Sequence, residues 1–136
     1  MNIQIIPSPP DAPDCKTWLR NGNRYYQAAC PKGKKSRFTA DLRYNLLSMS
    51  LEGYVMAISD YHGCLPDNHT YTDLMEALER VIPLDPVLKA QVLRHESIQD
   101  ICSIENYHRS HPGENALEDL RDAVARIGQI AGRTCT

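Results

Sequence analysis

Apolar side chains return every three or four positions along most of this chain, the period of a helix with one buried face. Cys15, Trp18, Leu19, Tyr25, Tyr26 and Ala29 form the first such set, with Gly22 on the same face. Asp14 stands ahead of it as an N-cap, and Cys30-Pro31 ends it. The longest set, from Phe38 to His62, carries Phe38, Leu42, Leu46, Met49, Val55 and Met56 and predicts the central helix of a bundle. After the break GCLPDN, a third helix is expected from about Tyr71 to Ile82, with Leu74, Met75, Leu78 and Val81 inward. A fourth is expected from about Val87 to His108, through Leu88, Val92, Ile98, Ile101, Cys102 and Tyr107. Ser97 and Asp100 make a capping-box pattern that suggests a break in it near Glu96. A fifth runs from about Leu117 to Ala131, with Leu117, Leu120, Val124, Ile127 and Ala131 on one face.

No strand pattern competes in the body, and most connections are only a few residues long, which favours antiparallel neighbours. The expected fold is all-α: an up-and-down antiparallel bundle of four to five helices in one domain, residues 14–136. Residues 1–13 differ. Three isoleucines are followed there by PSPPDAP, whose prolines forbid a helix, so a short extended N-terminal arm is expected. It would pack along the bundle or exchange with a neighbouring subunit.

Composition narrows the partners. A net charge of −2 over 136 residues gives no global attraction to nucleic acid or anionic lipid, so such binding needs a local patch. No apolar run approaches the length of a membrane span, and the first residues lack the basic flank of a signal peptide. The five cysteines, with no CxxC and no short Cys/His spacing, read as reduced thiols in a cytoplasmic protein. They give no structural zinc site, and neither a metal nor a cofactor is implied.

Four places could carry chemistry. The loop PKGKKSR gathers Lys32, Lys34, Lys35 and Arg37, the only dense positive cluster. It lacks the glycine spacing of a P-loop, so it is a solvated turn or a phosphate or RNA contact. Glu52 lies within the long central helix, where a carboxylate must reach solvent or a partner. In LPDNHTYTDL, Thr70 and Asp73 form a capping box; His69 just outside it is a surface histidine or a group poised beside free helix amides. ENYHRSHPGEN brings Glu105, His108, Arg109 and His111 to a helix end, where the dipole alone would favour cations.

Helix order and these motifs together resemble a family. SMSLEGYVMAI with its embedded Glu52, a short loop, and then NHTYTDLMEALE are similar to the central helix and following helix start of the HEPN (higher eukaryotes and prokaryotes nucleotide-binding) superfamily. His69, Asp73 and Leu74 resemble its His/Asp/Leu signature, with extra residues between histidine and aspartate. YHRSHPGENALEDLRDAVARI resembles the family's turn before its last helix, with Arg109 and Pro112 at the matching positions. The resemblance spans about residues 14–131.

It implies a helical bundle, commonly a homodimer, that binds a nucleotide or RNA, or partners a nucleotidyltransferase-like protein in toxin–antitoxin fashion. Glu52, His69, Tyr71, Arg109 and His111 are the ligand-binding residues it implies. Some members are metal-independent RNases, for which His108 or His111 would be the general base and Arg109 would stabilise phosphorane charge. Those members place a histidine a few residues after an arginine. Here Arg109-Ser-His111 is too close, and no other histidine has an arginine at that interval. The resemblance therefore implies a non-catalytic binding or partner module, with a ligand-free scaffold as the plainer alternative.

Overall fold

The computed structural model describes residues 14–96 and 113–136. Its regular structure is all-α. Among the described residues five helices follow one another: α1 (Cys15–Ala29), α2 (Ala40–Tyr61), α3 (Tyr71–Val81), α4 (Pro86–Leu93) and α5 (Glu114–Thr134). The extended arm expected over residues 1–13 lies outside the described residues, as does the Ser97–Asp100 capping pattern.

Short polar side chains set most helix starts. Asp14 accepts from the Thr17 amide at 2.8 Å, Thr39 from Leu42 at 3.3 Å, Thr70 from Asp73 at 3.1 Å and Asp85 from Val87 at 2.9 Å. Each satisfies an amide that the helix itself leaves without a partner. At Thr70 the box differs from its usual form. The Asp73 carboxylate accepts from the Thr70 hydroxyl at 2.5 Å, so the aspartate engages the cap's side chain.

The fourth helix breaks close to where the sequence expects. α4 closes at Leu93, just ahead of Glu96, where Arg94 is the C-cap and a turn bonds the His95 amide to the Val92 carbonyl; residues 97–108 lie outside the described residues. The carboxylate of Glu96 then docks on the first turn of α3, accepting from the Thr72 amide at 3.1 Å and its hydroxyl at 2.6 Å. That capping bond ties the chain to α3. The fifth helix begins three residues early, at Glu114, and runs on to Thr134.

α2 is the centre of the molecule. Every residue from Ser50 to Ser59 except Glu52 is buried, so this half is covered all round, not on one stripe. Glycines make that possible. A Cβ on Gly53 would stand 2.9 Å from the Gly22 nitrogen, so α1 and α2 meet backbone to backbone. The Tyr54 ring fills the space between Gly22 of α1 and Gly128 of α5, and its hydroxyl donates to Asn23 at 2.7 Å. The first half of α2 is covered only on the side of Tyr44 and Leu47. Leu42 and Met49, expected in the apolar band, are therefore 42% and 44% exposed.

Contacts fix the helix directions. α1 runs antiparallel to α2, with Gly22 beside Ser50 and Ala29 beside Arg43. α5 returns alongside both, placing Gly128 at Tyr54 and Cys135 at Ala57. α3 and α4 form a hairpin joined by Lys89–Glu79, and α4 is tied to α5 by Arg126–Asp85 at 3.0 Å. The core of Leu47, Leu51, Val55, Ile58, Leu74, Met75, Leu78, Leu120, Val124 and Ile127 draws on α2, α3 and α5; Leu88 and Val92 bring in α4, and Ala29 brings in α1.

A disulfide joins Cys15, the first residue of α1, to Cys135 after α5. This corrects the expectation of five reduced thiols; Cys30 and Cys64 are free. Scattered spacing hid the pair, because two cysteines 120 residues apart carry no local signal. Disulfides persist chiefly in oxidising compartments, so the step from cysteine pattern to a reducing cytoplasm loses its basis. No helix among the described residues is long and apolar enough to cross a membrane.

Candidate functional site

The basic loop closes on itself before it offers anything to a ligand. Gly33 sits at φ +72°, a left-handed turn that lets the chain reverse after Pro31. The Ser36 hydroxyl donates to the Ala28 carbonyl at 3.2 Å and accepts from the Phe38 amide at 3.3 Å. Arg43 donates through Nε to the Ala29 carbonyl at 2.9 Å. These bonds satisfy the last carbonyls of α1 and hold the loop against the bundle.

A hollow of about 720 Å³ opens where this loop meets the ends of α1 and α5, within the usual size range of small-molecule sites. Lys32, Lys34, Lys35, Arg43 and Arg121 line it, against the single carboxylate of Glu114. Tyr26 supplies an aromatic wall; burial pushes its phenol up, so it remains a neutral hydrogen-bonding group. A neighbouring hollow of about 460 Å³ shares Lys34 and Lys35, which stand between the two. Arg37 belongs to the smaller one, its guanidinium 5.1 Å from the Phe38 ring centroid. The structure therefore brings Lys32, Lys34 and Lys35 together as expected and adds Tyr26, Arg43 and Arg121. In the sequence Arg43 and Arg121 look like ordinary exposed-face cations. Only the packing of α1 against both α2 and α5 reveals them.

The expected groove around Glu52 resolves differently. His69 does meet Glu52, with Nδ1 2.6 Å from Oε1, so the loop before α3 is tethered to α2. Tyr71 does not join them. It is 1% exposed and its hydroxyl pairs with Ser48 inside the core. The correction has a simple cause: Tyr71 opens α3 on the face that packs on α2, two residues past the exposed His69. His108, Arg109 and His111 lie outside the described residues.

Neither a known family model nor a curated protein nor a solved structure matches this chain.

A third constellation gave no signal in the sequence. His95 is 3% exposed and uses both ring nitrogens, Nδ1 with the Tyr44 hydroxyl at 2.7 Å and Nε2 with Asp119 Oδ2 at 2.7 Å. Gln91 donates to the Asp119 carbonyl at 2.9 Å and to Asp122 at 3.1 Å, and Arg94 to Asp119 at 3.2 Å. Burial pushes the Tyr44 phenol far above its ordinary range, so the hydroxyl donates and Nδ1 accepts. Nε2 then carries the proton toward Asp119. The node ties α2, α5 and the turn after α4 through hydrogen-bonded side chains, and both ring nitrogens of His95 have a partner.

Acid should loosen it. Burial lowers the His95 pKa below 6.5, outweighing the opposing bond to Asp119. Burial raises the Asp119 carboxyl, but His95 and Arg94 outweigh it and hold the group below 3.8. Both folded-state values are depressed, so in each case the unfolded chain takes up the proton first. The stability from His95 is present above 6.5 and lost as pH falls toward its folded value; that from Asp119 declines below 3.8. Urea midpoints taken from pH 7.5 to pH 5 should fall, and His95→Gln should flatten that slope while lowering stability by about 1–3 kcal/mol at neutral pH. An equal slope in the variant would remove His95 as its source.

Proposed function

We propose that this chain is a non-catalytic, HEPN-like binding module that holds a phosphate-bearing ligand, a nucleotide or an RNA backbone, in the basic hollow beside Lys34 and Lys35. One observation carries the proposal: five cations from three separate stretches of sequence converge on one cavity in a chain whose net charge is −2. Concentrating like charge there works against the fold unless an anion offsets it. Arg43 is anchored through Nε, and the lysines stand exposed on a loop held at both ends. Such an arrangement suits phosphate oxygens, with lysines as point charges and Tyr26 available to a ribose or base. In the same proposal the module self-associates as a dimer and partners a nucleotidyltransferase-like protein.

Titration with ATP and with a fluorescent single-stranded RNA tests it. Lys34→Glu/Lys35→Glu should weaken binding by roughly 10–100-fold, the loss of one or two charge-assisted contacts. For RNA, replacing both lysines by glutamine should also reduce the slope of log K against log salt by about 2. Lack of binding to either probe would overturn the proposal, as would binding that the charge reversal leaves intact.

A further inference from the structure

A smaller cleft, sharing no residue with the basic hollow, opens between α1 and α2. Trp18, Asn21 and Tyr25 of α1 and Met49, Glu52 and Gly53 of α2 line its volume of about 150 Å³. The spacing is that of two facing helices: 18, 21 and 25 fall on one face of α1, and 49, 52 and 53 on one face of α2. Glu52 is the one residue of the buried half of α2 that escapes burial, and it escapes into this cleft. No lysine or arginine lines it. An aromatic and thioether lining with a single carboxylate is the inverse of the basic hollow, and it repels phosphate.

We propose that this cleft binds the terminal ammonium of a flexible alkyl chain, whether a free aliphatic amine or a lysine side chain of a partner protein. Three observations point the same way. Glu52 supplies the charge, and His69 holds it in place through one oxygen at 2.6 Å; a carboxylate has acceptor positions to spare beyond that bond. Trp18 and Tyr25 are the aromatic types that attract cations most strongly, and Asn21 offers a carbonyl oxygen beside them. The cleft's volume is about a fifth of the basic hollow's, which suits an ammonium and a few methylenes better than a nucleotide. The His69–Glu52 pair is 48% and 37% exposed, so it contributes little to stability and Glu52 can be altered without loss of the fold.

Trp18 is the chain's only tryptophan, so its emission reports on the cleft alone. The full chain is titrated at constant ionic strength with n-butylammonium, with Nα-acetyl-lysine methylamide, and with 1-pentanol as the uncharged counterpart. Both cations should change Trp18 emission saturably, with half-saturation on the order of 1–10 mM for groups this small. Tighter binding of the lysine derivative identifies a protein side chain as the source, and tighter binding of n-butylammonium a free amine. Glu52→Gln should weaken either cation at least tenfold. The proposal is overturned by a linear response to both cations, by an equal response to 1-pentanol, or by undiminished binding in Glu52→Gln.

Discussion

Opening the Cys15–Cys135 disulfide should lower the stability of the fold by about 2–5 kcal/mol, the largest effect expected of any covalent change in this chain. The bridge spans 120 residues of sequence, so its loss restores to the unfolded chain nearly all the freedom that closing one long loop removes. Cα atoms 6.0 Å apart already suit a disulfide, so the native state needs no distortion to keep it. The bridge also anchors the first turn of α1 to the end of α5, where fraying would otherwise begin. Thermal melts of the oxidised protein, of the protein under reductant, and of Cys15→Ser/Cys135→Ser should show Tm falling by roughly 10 °C or more in the latter two. Equal melting temperatures would mean that the pair contributes no cross-link in solution.

Gly53→Ala should be among the most damaging single methyls in the described residues. The added Cβ would stand 2.9 Å from the Gly22 nitrogen, 3.0 Å from its Cα and 3.2 Å from the Trp18 carbonyl. All three are backbone atoms of α1, so no rotamer change relieves the clash and the two helices must separate. Overpacking of this kind costs about 1–3 kcal/mol. Moving α1 also disturbs the Ser50 hydroxyl bond to the Gly22 carbonyl at 2.7 Å. Gly132→Ala provides the contrast: nothing lies within 4 Å of its added Cβ. On α5 that change should raise stability by about 0.5–1 kcal/mol through helix propensity. Urea unfolding of both variants decides the point, and similar midpoints would refute the close approach of α1 and α2.

Periodicity made the helices legible, and their capping residues made most of the starts legible as well. Asp14 and Thr70 are local chemistry, visible within four residues. The failures share a cause. Spacing puts Leu42 and Met49 in the apolar band, and the family resemblance puts Tyr71 among the ligand-binding residues, but which face of a helix is covered depends on neighbours distant in sequence. Glu52 was ambiguous for the same reason, since a carboxylate amid apolar residues reads alike whether it points into a core or out through a gap. The lysines of the basic loop could be found because they are adjacent. Arg43 and Arg121 reach the same hollow from helices 78 residues apart, and nothing in their immediate sequence marks them. His95 is a similar case, its partners lying 51 and 24 residues away.

The bridge at Cys15 and Cys135 has a topological side as well. It makes the intervening chain a closed circle, and a circle opened once is still one piece. A single backbone cut in the exposed Lys32–Lys35 turn would create new ends without releasing a fragment, since α1 would remain joined to α5 through sulfur. This exposed, positively charged turn is thus also a place where the chain can be severed and its connectivity survive.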